Sequence, residues 1–133
     1  MSALEAKLQA ASSDYQKLQT DYAKAVENRQ RLDAQKTENE GVSKELASLT
    51  AENAVYKLVG PVLMKQDQDE ARSNVDKRLE WIGGEIKRVE TNLKSLEGKI
   101  ETKKLELVHL QTQFQQQQQT AAQVGPGPAA LKV

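Results

Sequence analysis

Ala54-Val55-Tyr56-Lys57-Leu58-Val59-Gly60-Pro61-Val62-Leu63-Met64-Lys65-Gln66 is the stretch that decides the fold. It is rich in β-branched and large apolar residues and is broken once, by Gly60-Pro61. That pattern predicts two short strands joined at Gly60-Pro61, a β-hairpin within residues 50–68. Everything around it has a different period.

Upstream, Leu4, Leu8, Ala11, Tyr15, Leu18, Tyr22, Ala25, Arg29 and Leu32 recur at alternating steps of four and three, the heptad seam of a coiled-coil helix. The series is expected to resume in a shifted frame at Gln35, Asn39, Val42, Leu46 and Leu49, through a stammer that overwinds the coil locally. Gly41 falls in this weakest part, at a cost of about 1 kcal/mol relative to Ala. Downstream, Val75, Leu79, Ile82, Ile86, Val89, Leu93, Leu96, Ile100, Lys103, Leu107, Leu110 and Phe114 form a second, unbroken seam in which Lys103 alone is polar. Asp67, Asp69 and Glu70 supply the acidic first turn that a helix start favours. Gly83-Gly84 lies off this seam and reads as a soft or bent spot rather than a break.

The predicted organisation is an N-terminal coiled-coil helix (1–49), a hairpin element (50–68), a C-terminal coiled-coil helix (69–120) and a disordered Gly-Pro tail (121–133). The fold class is mainly α, a long antiparallel two-helix coiled coil with a single β-hairpin between the helices. Antiparallel folding requires facing seam residues to share a constant sum of residue numbers, and the apolar positions satisfy 125. Leu46 then faces Leu79, Leu32 faces Leu93, Leu18 faces Leu107, Tyr15 faces Leu110 and Ala11 faces Phe114, while Leu8 and Leu4 face Gln117 and Ala121. At about 1.5 Å per residue the arm would be roughly 70 Å long.

Composition narrows the function classes. Nineteen Lys and Arg balance nineteen Asp and Glu, which leaves no basic patch evident along the chain for nucleic acid. Without cysteine there is no disulfide framework, thiolate metal site or cysteine nucleophile. No apolar run approaches the roughly 18 residues of a membrane span, and Met1-Ser2-Ala3-Leu4-Glu5 lacks the form of a secretory signal, so a soluble intracellular chain is expected. His109 stands without a ligand constellation, Asp67-Gln68-Asp69-Glu70 lacks the spacing of a calcium loop, and no Gly-rich phosphate loop occurs. Neither cofactor, metal nor catalytic residue is expected, and the chain does not read as an enzyme.

A lone two-stranded hairpin is marginal in water, and Val55, Tyr56, Leu58, Val59, Val62, Leu63 and Met64 would leave apolar faces and both edges open. Assembly is the remedy: hairpins from several subunits pair edge to edge into a β-barrel platform. These seven residues are therefore the predicted oligomerisation element. At the far end Leu4, Leu8, Leu107, Leu110 and Phe114 are expected to lend apolar surface to a non-native client, weakly and together with other arms. Trp81, off the seam, is either a partly exposed ring or a contact to a neighbour.

Val55-Tyr56-Lys57-Leu58-Val59-Gly60-Pro61-Val62-Leu63, followed by Lys65-Gln66-Asp67 and Asn74-Val75-Asp76-Lys77-Arg78-Leu79-Glu80, resembles a β-type prefoldin subunit, most closely the eukaryotic subunit 6 branch. The resemblance covers about residues 1–120, and the single hairpin marks the β type. It implies a heterohexamer with two α-type and three further β-type subunits, a double β-barrel with six arms. It also implies ATP-independent capture of unfolded actin and tubulin at the arm tips, delivery to the cytosolic chaperonin, and a cytoplasmic location with a nuclear role left open. The competing reading is a structural coiled-coil adaptor or tether, which accounts for both heptad series and leaves the apolar hairpin unexplained.

Overall fold

The computed structural model describes residues 2–124. Four elements follow one another: helix α1 (Ala3–Ser48), strand β1 (Val55–Val59), strand β2 (Val62–Gln66) and helix α2 (Gln68–Val124). Residues 121–124, expected in the tail, continue α2. The rest of the expected tail, 125–133, lies outside the described residues.

Both helix starts are capped by side chains that the local sequence supplies. The Glu5 backbone N–H donates to Ser2 Oγ at 3.1 Å, and the Glu70 N–H donates to Asp67 Oδ2 at 3.2 Å. The end of α1 is closed from another element: the Arg72 guanidinium donates twice to the Leu46 carbonyl, at 3.2 and 3.0 Å, placing a cation on the negative end of the helix. Between α1 and β1, Asn53 Oδ1 accepts from the Thr50 N–H and hydroxyl, and Gln68 Nε2 donates to the carbonyls of Thr50 and Asn53. These bonds tie the linker to the first turn of α2.

The strands pair antiparallel from Val55↔Gln66 to Val59↔Val62. Gly60 takes φ +59° at the first turn position, which an L side chain resists, and Pro61 follows with its fixed negative φ. This is the φ pattern of a type II′ turn.

The chain divides into two compact units, Ala25–Asn92 and a second, called distal because in sequence it lies farther from the hairpin, that joins residues up to Lys24 with those from Leu93 on. In the first, Leu32, Leu46, Ala71, Ile82, Ile86 and Val89 are buried, and Ile82 is the most enclosed side chain at 1% exposure. In the distal unit Ala11, Leu96 and Leu110 are buried. All twelve expected α2 seam positions are buried or half-buried.

Two expectations are corrected. The first is the frame of α1. Gln35 is exposed and Val42 is 46% exposed, whereas Asn39 and Ser43 are half-buried and Leu46 is buried. Leu4, Ala11, Leu18, Ala25, Leu32, Asn39 and Leu46 thus keep one unbroken seven-residue frame, and there is no stammer. Ser43 occupies the seam position, and Val42 turns toward the root of the hairpin.

The second is the register. In Ala25–Asn92, Arg29 meets Glu90 at 2.7 Å, Arg72 meets the Leu46 carbonyl and Gln68 meets the Thr50 carbonyl, pairs whose residue numbers add to 118 or 119. In the distal unit, Tyr22 donates to Glu97 at 3.0 Å and Lys103 lies 3.7 Å from Asp14, with sums of 119 and 117. Each unit by itself therefore sets a register one heptad away from 125. Seam partners become Leu4 with Phe114, Leu8 with Leu110, Ala11 with Leu107 and Tyr15 with Lys103 in the distal unit. In the other unit they become Leu32 with Ile86, Asn39 with Leu79 and Ser43 with Val75. A heptad pattern matches itself after a shift of seven, so apolar periodicity alone could not separate the two.

Candidate functional site: the exposed hairpin

The hairpin is a two-stranded sheet with nothing over either face beyond its root. Only Val55 and Gln66, the pair nearest the helices, are half-buried; every other strand residue is exposed. Leu58 and Leu63, directly opposite one another, are 68% and 64% exposed. Strand alternation puts Tyr56, Leu58, Leu63 and Lys65 on one face and Val55, Lys57, Val59, Val62, Met64 and Gln66 on the other. Both faces are thus apolar toward the turn. Each strand also keeps one edge of N–H and C=O groups free for a further strand.

The sequence foresaw this element residue by residue. Val55, Tyr56, Leu58, Val59, Val62, Leu63 and Met64 all lie on the two strands, and six of them are among the exposed large apolar side chains. Burying a large apolar side chain is worth about 1.5–3 kcal/mol, so six that are half to two thirds uncovered hold several kcal/mol that only a partner can release. The geometry can pair strands and bury apolar surface.

In the distal unit the five residues singled out for client contact sit in the seam. Leu110 is buried, and Leu4, Leu8, Leu107 and Phe114 are half-buried. The expectation that Leu4 and Leu8 face Ala121 and Gln117 does not hold, because in this register they face Phe114 and Leu110. Among the described residues of this unit the large apolar side chains most open to water are Leu105 and Val108, at 63% and 53% exposure on the α2 face away from the seam. Sequence reasoning passed over them, although two apolar residues three apart and off the seam were a visible signal.

Among the described residues no buried side-chain polar atom lacks a hydrogen-bond partner. Lys103, the polar seam residue, is held between Glu106 at 2.9 Å and Asp14 at 3.7 Å. Its hydrogen bond to Glu106 and the nearby carboxylate charges raise the ammonium above the usual lysine value, against the opposing effect of burial. The hydrogen bond to Glu97, then its charge, raises the Tyr22 phenol. In the other unit, Arg29 bridges Glu90 and Asp33, each at 2.7 Å, and both carboxylates strengthen its protonation.

His109 is exposed, and among the described residues no group of three His, Cys, Asp or Glu could hold a metal ion. No helix among them is long and apolar enough to cross a membrane. Trp81 is 59% exposed on α2.

Comparison with known proteins agrees with this arrangement. The chain matches the family described as Prefoldin subunit over residues 9–119. Prefoldin subunit 6 of Homo sapiens is 48% identical over 127 residues, covering 95% of this chain and 97% of that protein. Prefoldin subunit 6 of Saccharomyces cerevisiae is 42% identical over 113 residues, covering 85% and 93%. Among solved structures, the prefoldin β subunit from Thermococcus strain KS-1 superposes with a TM-score of 0.69 at 23% identity, over 76% of this chain and 89% of that one. Two long helices flanking one open, apolar hairpin, and a family match that spans nearly all of them, lead to one conclusion: the chain belongs to the prefoldin subunit family.

Proposed function

We propose that this chain is a β-type subunit of a heterohexameric, ATP-independent co-chaperone. Its hairpin joins those of two α-type and three further β-type prefoldin subunits in a double β-barrel platform. The distal unit holds non-native actin and tubulin in the cytoplasm for delivery to the cytosolic chaperonin. The observation that carries the reading is the hairpin with two apolar faces and two free edges, a surface that a structural tether has no use for.

The test is native mass spectrometry of the chain mixed with the two α-type and three other β-type subunits, followed by aggregation assays on denatured actin without nucleotide. The expected result is a six-chain mass containing one copy of this chain and suppression at near-stoichiometric amounts. Removing residues 1–10 and 108–133 should abolish suppression and spare assembly. A chain that stays free in the mixture, or a complex that leaves actin aggregation unchanged, returns the question to the adaptor reading.

A further inference from the structure

A groove of about 600 Å³ opens where the hairpin root meets the two helices within Ala25–Asn92. Val42, Val55, Tyr56 and Val75 give it apolar walls, and Lys57 and Arg78 are its charged groups. Among the described residues lining it there is no carboxylate. Val42 is the side chain that left the seam, which Ser43 occupies, and it stands 46% exposed on this wall; Tyr56, which also lines the groove, is 57% exposed. An apolar recess whose fixed charges are all positive favours an apolar side chain flanked by acidic ones. One turn along α2 from Arg78, the exposed ring of Trp81 continues the same edge, with Gly84 beyond it leaving open space where a side chain would stand.

We infer that this groove is a second inter-subunit contact, distinct from strand pairing, which receives an acidic segment with an apolar anchor from a neighbouring prefoldin subunit. The inference rests on the proposed assembly. Two observations favour a neighbouring subunit over other occupants. The groove is continuous with the hairpin surface that assembly covers, since Val55, Tyr56 and Lys57 belong to both. Its charge is one-signed in a chain whose overall charge is zero, so it selects its partner by complementarity rather than by general attraction.

Arg78→Glu and Val42→Glu test this outside the strands, one on each helix, at exposed positions where folding tolerates the change. Each variant is co-assembled with the two α-type and three other β-type subunits. Dissociation of the complex is followed by native mass spectrometry at low and high salt, and acrylamide quenching of Trp81 is compared between free chain and complex. We expect about tenfold faster dissociation for each variant, a smaller salt effect for Arg78→Glu than for the wild type, and Trp81 shielded in the wild-type complex. Unchanged dissociation with Trp81 equally quenched in chain and complex overturns the groove contact and leaves the hairpin platform standing. Wild-type chain that never enters the six-chain complex overturns the assembly and this contact together. Normal retention with loss of actin protection assigns the groove to the client, and self-association of the free chain lost in both variants assigns it to a second copy; either result overturns the inference.

Discussion

Leu58→Asp separates what the hairpin does from what the helices do. In the free chain Leu58 is 68% exposed and stands directly across from Leu63 on the neighbouring strand. Losing that pair and some strand propensity costs under about 1 kcal/mol, and the helical units should not register it. In an assembled platform the same side chain has two thirds of its surface newly covered, worth about 1–2 kcal/mol of the 1.5–3 kcal/mol for burying a leucine completely. Aspartate forfeits that gain and brings a carboxylate without a partner into an apolar interface, at several kcal/mol more. A total of about 4 kcal/mol weakens assembly by about a thousandfold. Leu58→Ala, which keeps the first loss and omits the second, should weaken it by about tenfold. The assay pairs native mass spectrometry of the six-subunit mixture over a dilution series with far-ultraviolet circular dichroism of the free chain. Hexamer retained at full strength, or helix content lost from the free chain, would refute the division of labour between hairpin and helices.

Ile82→Ala empties the most enclosed position of the Ala25–Asn92 unit, and urea unfolding followed by circular dichroism should show a loss of about 2–4 kcal/mol with an unchanged denaturant slope. The register is testable by cross-linking, because the chain has no cysteine of its own: a short bismaleimide should join Ala11→Cys to Leu107→Cys efficiently and Ala11→Cys to Phe114→Cys poorly, and the reverse ranking would restore the register one heptad away. Tyr22, observed by phenolate absorbance with Tyr15 and Tyr56 changed to Phe, should titrate above the usual tyrosine value of 10.0, and Glu97→Ala should bring it back. Because the folded-state value is raised, the stabilisation by this pair is complete below about pH 10 and fades as pH climbs through the raised value, so the Glu97→Ala difference in thermal midpoint should shrink in strong alkali. A Tyr22 that titrates normally in the parent chain would remove the Glu97 hydrogen bond from the account.

The hairpin was legible to the residue because strand, turn and strand each carry their own local chemistry. Val55–Val59 and Val62–Gln66 are short apolar runs, and Gly60-Pro61 admits the turn with a positive φ that the structure shows. The second helix was equally legible, since Val75 through Phe114 keep one seam with a single polar member. The first helix was less so. Val42 looked like a seam residue because it is apolar, and Ser43 did not because it is polar, yet the seam runs through Ser43. A short hydroxyl fits against the facing helix at little cost, while Val42 is free to line the groove beside Val55 and Tyr56. Leu105 and Val108 were missed for the opposite reason, since attention to the seam leaves the outer face of a helix unread.

The register turns on groups that no apolar pattern contains. A shift of seven leaves every seam match as good as before, and the choice falls to the residues around the hairpin root. In the register of 125, Leu49 would stand level with Asp76, and the first two turns of α2 would lie beyond the end of α1. Ala71 would then face water. It is buried instead, at 5% exposure, because α1 runs past it as far as Ser48. At that level Arg72 caps the Leu46 carbonyl and Gln68 binds the carbonyls of Thr50 and Asn53. Each bond brings a side-chain donor from α2 to a main-chain acceptor at the end of α1 or in the linker, where the Leu46 and Thr50 carbonyls also take the Leu49 and Asn53 N–H groups, and a slip of one heptad would break all the bonds from α2 at once. The apolar seam makes the helices adhere, and the cap made by Arg72 and Gln68 tells them where.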